Sequence, residues 1–387
     1  MTTQLIMNFK RAIKDWVKHI APQIIIILCL ISLNQCKSDS LDEIAPQRPP
    51  YIYEIPESVD GGWETAHLDN VAMKMQPIQA LFENHLARRF KKQHSVLIVK
   101  DGKLVVEEYF KGYDLYSQYT QFNLNRKHYM ASVSKSIISA LIGISIDHSL
   151  INDTDEKLSV FFPDHNDQFI GGKEQISIED ALTMQTGIRW DHPDQAHIMM
   201  SQSSYVDYVL DQPMDSIPGE KFQYSDGVTV LLGAVVAHVS GMPADEYAED
   251  FLFEPIGIMD SHWISTSSSG ELGAGWGLFL KPRDMARFGQ LYLNKGIHEG
   301  KQIISSEWVE QSTQNKVEEI GYAYHWWCYD FNVDGQLIKT FAASGNGGQM
   351  IFIVDELNMV VVFTGTALKT AGIIRCLSLT WCVMTVR

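Results

Sequence analysis

The sequence predicts an α/β (α+β) protein: an antiparallel sheet built from both chain ends and flanked by helices, with a mostly helical region inserted over about 150–265. Three observations predict it. VLIVKDGKLVVEEYF, early in the body, has two β-branched runs around Asp101-Gly102, the strongest short hairpin signal. Near the other end, GYAYHWWCYDFNVDGQLIKTFAAS alternates around Asp334-Gly335, and QMIFIVDELNMVVVF turns at 355–358. Between these runs the chain is helical and loop-rich.

The elements follow in order. Residues 37–64 carry Pro46, Pro49, Pro50 and Pro56 and read as an extended tether or surface strap. A helix is expected over about 71–92, then the first hairpin. Residues 131–147 include IISALIGISI, a run without charge that suits a buried helix. SIEDALTMQTGI begins with Ser177 and has Asp180 three residues on, a form of capping box. DGVTVLLGAVVAHVSG is a helix with Gly241 just past its end. ADEYAEDFLFEPIG is another, expected to stop at Pro255. GWGLFLKPRDMARFGQLYLNKG reads as strand then helix.

A chain of 387 residues has ample material for a core, and 45% hydrophobic with 20% charged residues is a globular balance. A formal net charge of −16 argues against a broad basic nucleic-acid-binding face. The N-terminus differs from the body: Lys10, Arg11, Lys14 and Lys18 precede the apolar run IIIILCLISL, which is short for a membrane span and reads as an export signal. Cys36 just beyond it resembles a lipoprotein processing site, although Gln35 stands where a small residue is usual. Lipidation at Cys36, plain cleavage and a retained membrane anchor stay open; each places the body outside the cytoplasm, in the periplasm or cell envelope. The expected organisation is a signal over 1–36, a linker over 37–64 and one domain over 65–387. Cys29, Cys36, Cys328, Cys376 and Cys382 show neither metal-ligand spacing nor a disulfide framework, though Cys376 and Cys382 could pair.

Several chemistries lack their motifs. There is no Gly-x-Ser-x-Gly elbow and no phosphate-binding Gly-x-x-x-x-Gly-Lys loop. His192 and His197 have poor metal spacing and read as solvent-facing loop histidines. Ser132-Val133-Ser134-Lys135 is more promising. Spacing of three puts Ser132 and Lys135 on one helix face, and Ser132 sits where the helix begins. A lysine held against an apolar core should have its ammonium destabilised by desolvation, which would free a neutral base for the serine hydroxyl. The plain alternative is a capping serine, Ser132 or Ser134, beside a solvated lysine; the motif alone leaves both open.

Two further stretches sharpen this. In QYSDGVTVLLG, Tyr224 precedes an apolar helix and could relay protons, or it is a core tyrosine with Asp226 as the cap. Ser344-Gly345-Asn346-Gly347-Gly348 leads into a strand, where glycines permit close backbone approach and a strand N–H could meet an oxyanion.

Taken together, in this order, the three motifs resemble the penicillin-recognising serine hydrolases: class C-type β-lactamases, DD-peptidases, and the related esterases and 6-aminohexanoate-dimer hydrolases. The resemblance runs over roughly 65–366 and includes ALTMQTGIRWD, LLGAVVAHVSGMPADEYAEDFLFEPIGI and GKQIISSEWVEQST. It implies the β-lactamase/transpeptidase-like fold, Ser132 as nucleophile, Lys135 as its activating partner and Tyr224 as the tyrosine of the Tyr-x-Asn box. Asn346, Gly347 and Gly348 then stand at the Lys/His-Thr-Gly box, and the oxyanion hole is the backbone N–H of Ser132 and of Gln349. No cofactor and no metal are implied.

Two departures bear on the substrate. Asp226 stands where the family often has Asn, and a carboxylate cannot donate to a substrate carbonyl. Asn346 replaces a cation that would bind the carboxylate of a β-lactam or peptide. Both favour a neutral ester or amide over β-lactams and peptidoglycan peptides. The segment 367–387 departs from the family's terminal helix, and a non-catalytic envelope ligand-binding module is the remaining alternative.

Overall fold

A computed structural model describes residues 50–59, 62–86, 92–264, 267–333 and 335–366. The N-terminal segment with Cys36, and the C-terminal segment with Cys376 and Cys382, lie outside the described residues.

Strand β1 (Gln93–Lys100) and strand β2 (Lys103–Tyr109) form the first expected hairpin. Asp101 (φ 52°) and Gly102 (φ 76°) take the two left-handed positions that a two-residue turn needs. From the other chain end come β3 (Trp327–Val333), β4 (Gln336–Gly345), β5 (Gln349–Val354) and β6 (Met359–Gly365). The order is β3-β4-β5-β6-β1-β2, antiparallel throughout, so β1 beside β6 joins the two chain ends, with Leu97 opposite Val362.

The strand period of two divides these runs between two cores. Leu97, Val99, Ile351, Ile353, Val360 and Val362 face one core, while Val96, Ile98, Phe352, Val354, Val361 and Phe363 face the other. Burial on both faces explains the nearly unbroken apolar text of β1, β5 and β6. The second face is covered by the N-terminal strap and a short helix, α1 (Met75–Ala80). Tyr51 Oη donates to Glu108 at 2.6 Å and Tyr53 Oη to the Val105 carbonyl at 2.8 Å, which ties the strap to β2. The helix expected over 71–92 is thus interrupted. A 3₁₀ turn at Leu68–Val71 ends at left-handed Ala72, and α1 runs into a π turn at Leu81–Leu86.

On the first face lies α2 (Val133–Asp147), every residue of it from 133 to 145 buried. The helical region expected between the strands is present. It includes α3 (Ile178–Leu182), α4 (Asp226–Ser240) and α5 (Ala244–Ala248). Ser177 and Asp180 make the reciprocal capping bonds, at 3.0 and 2.8 Å, and Gly241 (φ 73°) ends α4. Pro255 does not stop its helix. The chain continues from α5 through a π turn and a 3₁₀ turn, Glu254–Ile256, and ends at Gly257. Proline sits in the first positions of that last turn, where its missing N–H costs nothing. Helix α6 (Pro282–Leu293) packs on β6, β5 and β1. A small sheet, His262–Trp263 and His128–Tyr129 on either side of Leu278–Leu280, delivers the chain to residue 132.

Candidate active site

The turn before α2 is held tightly. Met130 N–H donates to the Leu278 carbonyl at 2.8 Å, and Ala131 then takes a left-handed backbone (φ 47°), uncommon for a residue with a Cβ. Ser132 follows at the N-cap of α2, half-buried, and its side chain makes no capping bond. Ser134 is buried and donates to the Ala131 carbonyl at 2.7 Å. The capping alternative therefore does not describe this turn, and Lys135 is not solvated: its side chain is 1% exposed.

Lys135 Nζ has three acceptors. It donates to Asp226 Oδ1 at 2.5 Å, to the Gly275 carbonyl at 2.9 Å and to Ser132 Oγ at 3.2 Å. Three acceptors match the three protons of an ammonium. Burial works to lower the Lys135 pKa, as the sequence suggested, but the Asp226 charge, with help from Tyr224, outweighs it and the net direction is upward. The expected free amine is thus corrected: a buried countercharge keeps the resting lysine protonated. For Asp226, burial alone would raise the pKa; Lys135 and then His192 pull it well below the usual carboxylate range.

Asp226 reaches Lys135 because it is not the cap of α4. Ser225 is, accepting from Val228 N–H at 3.2 Å, and Asp226 becomes the first helical residue with its carboxylate free to turn inward. Its other oxygen, Oδ2, lies 3.0 Å from His192 Nδ1. Both carboxylate oxygens are therefore engaged by protein groups, Lys135 and His192. Tyr224 borders the same cluster, with Lys135 Nζ 5.0 Å from its ring centre and His192 edge-on at 5.4 Å. His325, buried, lies behind, with its Nε2 3.2 Å from Thr229 Oγ1. Burial, then the Lys135 charge, lower its pKa to about 3, so it stays neutral.

The glycine stretch begins beside the Ser132 turn. Gly345, at the end of β4, lies against the Ser132 turn: a Cβ there would sit 2.2 Å from the Met130 carbonyl oxygen and 3.3 Å from Ala131 Cβ. Asn346 is exposed in the turn that follows, and Gly347 and Gly348 both have φ 96°. Gln349 opens β5, and its side-chain amide is paired with the backbone of Gly365 on β6, at 2.5 and 3.2 Å. Gln349 also lines an open pocket of about 420 Å³, together with Phe122, Tyr129, Phe279 and Thr366.

Three neighbours of Lys135 and Asp226 escaped sequence reading: His192, Gly275 and His325. His192 reads in the sequence as a solvent-facing loop histidine; it is 42% exposed, yet it binds Asp226. The backbone of Gly275 carries no motif, and its signal is the close approach itself: a Cβ there would lie 3.1 Å from Nζ.

The sheet built from both chain ends carries on one face a helix that starts at a serine beside a buried ammonium. The chain belongs to the β-lactamase family, whose model matches residues 78–372. It is similar to 6-aminohexanoate-dimer hydrolase of Paenarthrobacter ureafaciens, 22% identical over 324 residues, 76% of this chain and 76% of that protein. Among solved structures it resembles an octameric penicillin-binding protein homologue from Pyrococcus abyssi. There the TM-score is 0.65 and the identity 20%, over 81% of this chain and 78% of that one. It also resembles a family VIII carboxylesterase, with TM-score 0.61 and 16% identity over 76% of this chain and 92% of that one. Members of this family with this fold are serine hydrolases acting on esters and amides.

Proposed function

We propose that this protein is an exported serine hydrolase that forms an acyl-enzyme on Ser132 and hydrolyses a neutral ester or amide. The observation that carries the reading is the cage around Lys135. The same three contacts suit both protonation states. As an ammonium, Lys135 donates to all three acceptors. As a neutral amine it keeps two N–H donors for Asp226 and the Gly275 carbonyl and turns its lone pair to Ser132 Oγ, 3.2 Å away. Proton transfer then needs no rearrangement. Ser132 Oγ attacks the substrate carbonyl as its proton passes to the lone pair of Nζ. That proton reaches the leaving group by way of the Tyr224 hydroxyl, and the acyl group stays on Ser132 as an ester. Water attacks that ester, and its proton returns to Oγ by the reverse path.

Because Asp226 holds the resting lysine charged, the reactive amine is a minority species near neutrality, and turnover rises into the alkaline range. A neutral substrate follows from Asn346, which offers no cation to a substrate carboxylate. The relatives named as 6-aminohexanoate-dimer hydrolase and carboxylesterase lie in the same direction. Export rests on the basic and apolar text of 1–36, with attachment to the membrane through that segment or lipidated Cys36 as its variants.

The test compares wild type and Ser132→Ala for labelling by a fluorophosphonate and for turnover of short-chain p-nitrophenyl esters, a linear aminohexanoate dimer and nitrocefin. Labelling and ester or amide turnover should be lost in the variant. Labelling that survives in Ser132→Ala would sink the assignment, and nitrocefin as the best substrate would overturn the neutral-substrate reading.

A further inference from the structure

The Asp226 carboxylate is shared between a buried partner and a partly exposed one. Oδ1 is 2.5 Å from Lys135 Nζ, deep in the site, and Oδ2 is 3.0 Å from Nδ1 of His192, which is 42% exposed. A carboxylate that accepts a second hydrogen bond has part of its charge neutralised, so it attracts the first partner less. We propose that His192 is a positioning residue for the reaction: by holding Oδ2 of Asp226 it weakens the grip of that carboxylate on Lys135 and sets the pH range in which Lys135 releases its proton to serve Ser132. This rests on Ser132 being the nucleophile and Lys135 its base.

The groups around the pair narrow the cause of any pH effect. Asp226 and Tyr224 face Lys135 from the loop and start of α4. Tyr129 faces it from the strand before Ser132, and His325 from the loop before β3. Asp226 and the Tyr224 ring face His192. Burial raises the Tyr129 pKa to about 12, and His325 stays neutral, so neither changes charge between pH 5 and 10. Tyr322, buried beside Tyr224, has its pKa raised well above the ordinary phenol by burial first and by its neighbours after that. The ionic pair is therefore Lys135 and Asp226, with His192 and Tyr224 packed against it.

The sign is fixed by the geometry. Without a donor on Oδ2, Asp226 concentrates its charge on Lys135, the ammonium is held more firmly, and the pH limb moves to the alkaline side. The test is kcat/KM for a p-nitrophenyl ester, together with the rate of fluorophosphonate labelling, across pH 5–10.5 in the full chain. Wild type, His192→Ala and His192→Gln are compared, because glutamine restores an N–H donor. In His192→Ala the rising limb should move up by about half a pH unit or more, a loss of about threefold at pH 7 that disappears on the alkaline plateau. His192→Gln should recover at least half of that displacement. Coincident limbs, or a lowered plateau with an unmoved limb, would overturn the inference and leave His192 a structural residue. Ser132-dependent labelling in wild type checks the underlying reading separately, since its absence would refute the nucleophile itself, whatever His192 does.

Discussion

Replacing Asp226 by asparagine separates the charge of the buried pair from its shape. The amide keeps an acceptor oxygen near Lys135 Nζ, at 2.5 Å in the wild type, but removes the charge that offsets burial. Two outcomes compete. If Lys135 stays charged, it becomes a buried ion without a partner, which costs roughly 3–5 kcal/mol. If it sheds its proton on folding, the cost is that of deprotonating an ordinary lysine, about 1.4 kcal/mol per pH unit below its unfolded pKa of about 10.4. That is about 5 kcal/mol at pH 7 and about 2 kcal/mol at pH 9. The smaller cost governs. The deficit should therefore be roughly 3–5 kcal/mol at pH 7 and fall to about 2 kcal/mol at pH 9.

The wild-type pair gives no such slope. The raised Lys135 pKa means its contribution is complete below the unfolded lysine value and is lost only as pH climbs through the folded one. The depressed Asp226 pKa means its contribution is complete above the unfolded carboxylate value and is lost as pH falls. Between pH 5 and 9 both are in full force. Urea denaturation of wild type and Asp226→Asn at pH 7 and pH 9 measures the deficit directly. The same deficit at both pH values would refute the reasoning, because it would mean that no buried lysine charge depends on Asp226.

Two close approaches give further tests. Gly275→Ala puts a Cβ 3.1 Å from Lys135 Nζ and 3.3 Å from the Asp226 carbonyl oxygen, so the ammonium must move. Ester turnover should fall at least about tenfold, near 1.4 kcal/mol in the barrier, while circular dichroism stays native; unchanged kcat would show that this contact does not position Lys135. Gly345→Ala drives a Cβ to 2.2 Å from the Met130 carbonyl oxygen and should cost about 1–3 kcal/mol of stability. It should also slow fluorophosphonate labelling of Ser132, and labelling at the wild-type rate would separate β4 from the Ser132 turn.

The opposite sign found for the Lys135 pKa shows where sequence reasoning ran short. A buried Lys135 was suggested, because the eleven residues after it carry no charge. The countercharge was not, because Asp226 is 91 residues away and its neighbour Ser225 is an equally good cap. Only the choice of Ser225 as cap frees the Asp226 carboxylate to turn inward. His192 was missed for a related reason: half of its ring faces solvent, and the half that matters touches a residue 34 positions on.

By itself the sequence determined what depends on local pattern. Apolar, β-branched runs at both chain ends, an Asp-Gly turn and the capping signals of α3 and α4 specified the strands, the hairpins and the helices between them. The spacing of three between Ser132 and Lys135 placed both on one helix face, one turn apart. Tertiary structure decided what depends on groups meeting from distant parts of the chain. It brought Asp226, the Gly275 carbonyl and Ser132 around one ammonium, set His192 on the far oxygen of the carboxylate, and placed Gly345 rather than the turn after it against the Ser132 loop. The physical reason is that a side chain's charge state is set by its nearest polar neighbours once water is excluded, and those neighbours are fixed by packing and not by sequence distance.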